Sequence, residues 1–217
     1  MRALIIANGQ LDDSASVTRA LRKDDLVIAA DGGGQHCLDL NLVPDLIVGD
    51  MDSLSPQAIE LLASMGARVV RHARRKDETD LELAVAEAMH AGADDILIFG
   101  ALGKRWDMTL ANVLLPADRA YRNTSISLVD GNQRVTLLQP GRTHHIEGTR
   151  GDTLSLIPLA GDATGITTEH LDYPLQHETL HFGSPRGVSN VFMTDHAAVR
   201  FETGLLLCIH IEAAGST

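Results

Sequence analysis

Aspartate is the residue type most suggestive of chemistry in this chain. Four short segments carry it: Asp31-Gly32-Gly33-Gly34, then Gly49-Asp50-Met51-Asp52-Ser53, then Lys76-Asp77-Glu78-Thr79-Asp80, and last Gly100-Ala101-Leu102-Gly103-Lys104-Arg105-Trp106-Asp107. Carboxylates gathered in one place repel one another unless a cation lies between them. A hard divalent ion such as Mg²⁺, held by one or two carboxylates and by substrate phosphates, is the usual resolution. Glycines in such loops let backbone N–H groups approach phosphate oxygens. Lys76, Lys104 and Arg105 add the positive charge that transferring phosphoryl oxygens need.

Each segment also has a plainer reading. Asp31-Gly32 is a common turn. Asp50 to Ser53 could be a turn followed by a helix cap, and Thr79 and Asp80 fit the first turn of a helix as cap and dipole partner. Asp107 fits a helix start equally well, and Arg74 and Arg75 read as a solvated turn. The weight lies in their joint placement, because all four segments follow expected strands or open a helix on one edge of a sheet. In open α/β sheets that edge is where ligands bind. Two familiar phosphate motifs are absent. No Gly-x-x-x-x-Gly-Lys-Ser/Thr occurs, and the first loop, Asn8-Gly9-Gln10, lacks the Gly-x-Gly-x-x-Gly fingerprint of nicotinamide dehydrogenases.

Those segments need elements to hold them. Short apolar runs at 4–7, 26–30, 46–48, 68–71, 96–99 and 125–129 alternate with helical patterns at 14–21, 35–40, 56–65, 80–91 and 107–120. That rhythm predicts an α/β domain with a parallel-type sheet covered on both faces. Thr79 and Glu82 form a capping-box pattern, followed by Leu81, Ala84, Val85 and Ala88 at helical spacing. After about residue 140, turn pairs such as Pro140-Gly141 and Gly151-Asp152 punctuate short alternating segments. Expected strands at 153–158, 179–182, 198–201 and 205–211 predict an all-β domain, a sandwich or a barrel. The boundary is expected between Asp130 and Gly141, giving domains of 1–135 and 136–217.

Composition agrees with a folded enzyme. Apolar residues make up 44 % of 217, enough for a substantial core, and the net charge of -11 argues against a nucleic-acid partner. Neither a signal-peptide pattern nor a membrane-length apolar stretch is present, so a cytoplasmic protein without membrane association is expected. Cys37 and Cys208 read as two buried thiols. His177 and His181 have a spacing that would suit zinc on a helix, but this region reads as β and a zinc site is not assigned. Trp106 reads as a packing residue.

Taken in order, Ala30-Asp31-Gly32-Gly33, Pro44 through Ser53, Lys76 through Asp80, Gly100 through Asp107 and Thr109-Leu110-Ala111-Asn112 resemble the motifs of the thiamine pyrophosphokinase family. Gly165-Ile166-Thr167-Thr168, Leu171-Asp172-Tyr173-Pro174-Leu175 and Gly187-Val188-Ser189-Asn190 continue the resemblance over nearly the whole chain. It implies diphosphoryl transfer from ATP to the thiamine hydroxyl, with AMP released. It also implies an α/β nucleotide-binding domain followed by an all-β sandwich domain, and a homodimer with thiamine near the subunit interface. By motif position Asp50, Asp52 and Asp80 would handle Mg²⁺ and phosphate, and Asp107 would join them in the catalytic cleft. Asp31, Gly32, Gly33, Lys76, Thr79, Gly103, Lys104 and Arg105 would contact the nucleotide, and Tyr173, Ser189 and Asn190 would contact thiamine.

Two positions depart from the family pattern: Lys104 stands where glycine is usual, and Met108 where histidine is common. Neither change touches a carboxylate, so activity is expected to survive. Three other readings remain open from the residues: a pyrophosphokinase for another hydroxymethyl heterocycle such as a pterin, a nucleotide sensor with a degenerate site, and a dehydrogenase. The first loop disfavours the last of these.

Overall fold

The structure is a computed structural model that describes residues 1–74, 77–103 and 105–213. The chain divides into two compact units, one ending at Gly131 and the other beginning at Asn132. In the first, strands and helices alternate: β1 (Arg2–Ile6), α1 (Ser14–Ala20), β2 (Leu26–Ala30), α2 (Gly33–Asp39), β3 (Leu46–Gly49), α3 (Pro56–Ser64), β4 (Arg68–Arg71), α4 (Asp80–His90), β5 (Asp95–Phe99), α5 (Trp106–Leu114) and β6 (Ser125–Asp130). The strands lie in the order β6-β5-β1-β2-β3-β4, and every adjacent pair is parallel.

Continuous apolar strands are what a sheet with two covered faces requires. Ala3, Leu4, Ile5 and Ile6 of β1 are all fully buried. Leu4 and Ile6, with Ala29, Ile47, Leu97 and Phe99, join Val17, Cys37, Ile59 and Leu62 from α1, α2 and α3 in one core. On α4, Leu81, Ala84, Val85 and Ala88 are buried, and this helix packs against β1, β2 and β3. The caps explain why the helices start where they do. Ser55 accepts from the Ala58 N–H with Pro56 at the first helical position, and Thr79 and Glu82 form a reciprocal capping box.

The strand order reverses beside β1. Chain progression runs outward from β1 to β4, then returns to place β5 on the other side of β1. A crevice opens at such a switch point, outside the carboxyl ends of the strands.

The second unit is antiparallel throughout. Its strands are β7 (Gln133–Leu138), β8 (Thr143–Glu147), β9 (Thr153–Pro158), β10 (Ala163–Glu169), β11 (Glu178–Leu180), β12 (Asn190–Val191), β13 (His196–Arg200) and β14 (Leu206–Ile211). They form two sheets, β12-β9-β14-β7 and β11-β10-β13-β8. Leu138, Leu154, Leu156, Leu206 and Cys208 of the first sheet pack with Ala163, Ile166, Leu180, Ala197 and Val199 of the second, which makes a sandwich. Cys37 and Cys208 are free, buried thiols, each pushed by burial up to about 12. Among the described residues no helix is long and apolar enough to cross a membrane.

Several expected elements need correction. The helix read over 107–120 ends at Leu114 and continues as two short 3-10 turns, because Pro116 has no N–H and cannot continue an α-helix. The sequence pattern does not mark β7, which begins just after the division between the two units. Strands β8, β10 and β12 were not anticipated. Thr143-His144-His145-Ile146-Glu147 shows why, since no residue of β8 is fully buried and only Ile146 is apolar. Helix α2 begins two residues earlier than expected, at Gly33.

Candidate active site

At the carboxyl ends of the strands the first unit carries a cleft of about 790 Å³, a size suited to a nucleotide-sized ligand. It is lined by the loops after β1, β2, β3, β4 and β5 and by residues of α5. Asp31, Asp50, Asp52, Thr79, Asp80, Gly103 and Arg105, all expected site residues, lie in that lining.

Asp31 follows β2 directly and takes a left-handed φ of 44°, a conformation that aspartate tolerates better than most residues. It is 3 % exposed, and its Oδ1 has no hydrogen-bond partner among the described residues. A buried, unpartnered carboxylate oxygen is costly and calls for an explanation such as an ion. Ligand oxygens of Asp31, Asp50 and Asp52 lie within 4.8 Å of one another. Gly49 makes this approach possible: a Cβ there, at φ 151°, would stand 3.0 Å from the Asp31 Cβ and 3.1 Å from the Asp80 Oδ1. Beyond it the chain turns sharply at Met51 (φ 64°), and the Asp52 N–H donates to Asp50 Oδ1 at 3.0 Å. Ser53 donates to Asp52 Oδ1, and the exposed Arg74 guanidinium pairs with Asp52 Oδ2 at 3.0 Å.

The donor set is all oxygen and anionic, which fits a hard divalent cation and not a soft one. The grouping differs in one member from the set expected from motif position. Asp31 completes the trio with Asp50 and Asp52, and Asp80 lines the same cleft at the start of α4.

On the far side, side chains of α5 hold the loop after β5. Asn112 Nδ2 donates to the Ala101 carbonyl at 2.6 Å, and Thr109 Oγ1 bonds both the N–H and the carbonyl of Gly103 at 3.2 Å. The motif positions Thr109 and Asn112 thus shape the cleft wall. At Thr79 the hydroxyl accepts from the Glu82 N–H, so its position follows from the helix start.

Other expected residues are placed differently. Gly32 and Gly33 do not line the cleft. A Cβ on Gly33 would meet the Ile6 carbonyl oxygen at 1.9 Å and one on Gly32 would meet Asn8 Oδ1 at 2.2 Å, so both glycines let α2 start against the end of β1. Asp107 is exposed and held by Arg105 at 2.5 Å, outside the lining; that hydrogen bond lowers its carboxyl to about 2. Trp106 is 74 % exposed and is not a packing residue. Arg74, read as a solvated turn, lines the cleft instead. Lys76 and Lys104 lie outside the described residues.

Sequence reasoning missed Asn8, Gly9 and Gln10, which line the cleft beside the switch point. That loop lacks the dinucleotide fingerprint and so carries no motif that marks it. Its position after β1, next to the strand-order reversal, was the available signal.

In the second unit, Asn190 Oδ1 accepts from the Tyr173 N–H at 3.0 Å and its Nδ2 donates to the Tyr173 carbonyl at 2.7 Å. The Tyr173 side chain is exposed. Ser189, at φ 62°, donates its N–H to Ser155 Oγ at 3.0 Å. Of the three expected thiamine contacts, Asn190 and Tyr173 are therefore hydrogen-bonded to each other, and Ser189, next to Asn190 in the chain, is held by Ser155. His181 pairs with Asp162 at 2.8 Å while His177 lies 4.0 Å from Glu202, so these two histidines face different partners.

Comparison with known proteins bears on both units. A family model described as "Thiamin pyrophosphokinase, catalytic domain" matches residues 17–128, more than half of the chain, and "Thiamin pyrophosphokinase, vitamin B1 binding domain" matches residues 143–206. A thiamine pyrophosphokinase of Bacillus subtilis is 28 % identical over 205 residues, covering 94 % of this chain and 96 % of that protein. Thiamine pyrophosphokinase 1 of Arabidopsis thaliana is 29 % identical over 181 residues, covering 79 % and 67 %. The crystal structure of the Bacillus subtilis protein superposes with a TM-score of 0.87 at 28 % identity, covering 98 % of this chain and 100 % of that one. That of a Geobacillus thermodenitrificans thiamin pyrophosphokinase gives 0.85 at 25 % identity, with both chains fully covered.

Proposed function

Because the chain belongs to the thiamine pyrophosphokinase family, whose reaction moves a diphosphoryl group from ATP to thiamine, we propose that the acidic cleft of the first unit holds ATP with Mg²⁺. The observation that carries this reading is the buried Asp31 oxygen that has no partner among the described residues, beside Asp50 and Asp52 at the carboxyl ends of β2 and β3. Asp31, Asp50 and Asp52 would hold the metal, with Asp80 beside them. When bound, Mg²⁺ offsets the charge of the polyphosphate and of the leaving AMP.

The remaining work is positioning. Phosphoryl-type transfer needs in-line placement and charge neutralisation more than a covalent intermediate. The loop held by Thr109 and Asn112 and the loop after β1 form the walls against which a nucleotide lies. Arg74 and Arg105, both at the cleft, supply donors to phosphate oxygens. Ser189, Asn190 and Tyr173 would contact thiamine. Its hydroxyl oxygen bonds to the β-phosphorus as the bond from that phosphorus to the α,β-bridging oxygen breaks, and the bridging oxygen leaves with AMP. The hydroxyl proton is lost as the new bond forms. A homodimer is part of the same reading and rests on the family resemblance, and a cytoplasmic location is proposed with it.

Incubating the purified protein with thiamine, ATP and Mg²⁺ and resolving the products by mass spectrometry tests it. Thiamine diphosphate and AMP should appear in equal amounts and vanish on chelation of the metal. AMP without thiamine diphosphate would overturn the choice of acceptor. Neither product from folded protein would overturn the activity.

A further inference from the structure

A buried ionisable pair occupies the second unit. Asp152 is 1 % exposed and His210 8 %, and the His210 Nε2–H donates to Asp152 Oδ2 at 2.8 Å. The same oxygen accepts from the Thr149 N–H at 2.7 Å, and Oδ1 accepts from the Ala213 N–H at 2.8 Å. Burial pushes this carboxyl up, yet the hydrogen bonds from Ala213, His210 and Thr149 outweigh it and hold the group below its ordinary range. Buried pairs of this kind are weak sources of net stability compared with apolar packing, so what they specify geometrically is the more informative question.

Here the pair specifies Phe192. The backbone beside the carboxylate clamps that residue from both sides: Phe192 N–H donates to the Asp152 carbonyl, and Gly151 N–H donates to the Phe192 carbonyl, each at 2.9 Å. The Phe192 ring is fully buried, with its centroid 5.1 Å from that of His210. Immediately before it lies β12, in which Asn190 pairs with Leu154 and Val191 with Thr153. Val191 accepts from the Asp172 N–H at 2.9 Å, and the Asn190 side chain fastens both backbone groups of Tyr173. Hydrogen bonds therefore connect the buried pair to Asn190 and Tyr173 with no unsupported residue between.

We infer that Asp152 and His210 are positioning residues for thiamine recognition, setting the height of Phe192 and through it the Ser189-Asn190 segment and Tyr173. The inference rests on the reading that those three residues contact thiamine. Neither Asp152 nor His210 touches substrate in this account. Losing His210 would leave Asp152 Oδ2 with one donor in a dry environment. The turn from Thr149 to Asp152 would relax and β12 would lose its fixed support.

Steady-state kinetics on the full chain, with thiamine and ATP varied separately, test this at a temperature where each variant is folded by circular dichroism. His210→Ala should raise the thiamine KM about tenfold while kcat and the ATP KM stay within about twofold of wild type. His210→Gln, whose amide nitrogen reaches the position of Nε2, should restore the thiamine KM to within about threefold. Asp152→Asn offers a second route to the same loss should His210→Ala fail to fold. Folded His210→Ala or Asp152→Asn with an unchanged thiamine KM, or with thiamine and ATP KM raised alike, would overturn the inference. Asn190→Ala separates the two levels. If it raises the thiamine KM while the pair variants do not, only the positioning role fails. If Asn190→Ala itself leaves the thiamine KM unchanged, the contact reading fails and the inference goes with it.

Discussion

Replacing Asp31 with asparagine removes one charge from the carboxylate trio and keeps the shape and the left-handed backbone, which asparagine also tolerates. Two unit charges at the 4.8 Å limit of the cluster repel by about 3 kcal/mol at an effective dielectric near 20. Asp50 is half-buried, Asp52 is exposed, and Arg74 already pairs with Asp52, so solvent and counter-charge reduce this to about 1 kcal/mol for Asp31 against both. Without metal, Asp31→Asn should therefore melt at or above the wild type, by about 2–4 °C. With MgATP at a hundredfold excess over its Kd, the wild type should gain about 2.7 kcal/mol. The variant should gain little, because an amide is a poor ligand for a hard cation. Differential scanning calorimetry in chelator, then in MgATP, reads both effects. A variant less stable than wild type in chelator, or one with an equal MgATP shift, would refute the placing of Asp31 among the metal ligands.

Gly33→Ala should cost about 3 kcal/mol in urea denaturation, since its Cβ would meet backbone at the Ile6 carbonyl; Gly34→Ala, whose nearest neighbour is the movable Leu54 Cδ2 at 2.7 Å, should cost less. Thr79→Ala should cost about 1 kcal/mol through the lost cap, and Thr79→Ser should recover most of it. Asp25 is buried and holds Arg2 through two hydrogen bonds of 2.8 and 2.6 Å. Burial pushes its carboxyl up, but Arg2 and the Arg22 N–H hold it below the ordinary range. A depressed carboxyl contributes stability that is present above about pH 4 and lost as pH falls through the folded value. Asp25→Asn should therefore be less stable at pH 7 and show a shallower acid limb in denaturation series run from pH 6 to pH 2.

The parts of the fold legible in the sequence are those whose burial is written as continuous apolar runs. β1 and β5 could be read this way because parallel strands are covered on both faces. In β8 the signal is absent: His144 reaches the Gln139 carbonyl and the strand's burial is only partial, so no apolar alternation marks it. At the site, Asp31, Asp50, Asp52 and Asp80 were legible because strand ends place them on one edge whatever the details of the loops. Spacing alone does not show that Gly32 and Gly33 serve close packing, because the same residue type serves close approach to another chain segment and to phosphate. The pairing of Asp107 with Arg105 was not legible for a similar reason, since spacing alone does not announce an exposed ion pair.

In the proposed reaction two phosphoryl groups move together, and ATP labelled at the β-phosphorus reports whether they do. The labelled phosphorus should appear in the thiamine product, leaving AMP unlabelled. Label retained in ADP beside a thiamine monophosphate would contradict the account and assign this cleft to single phosphoryl transfer.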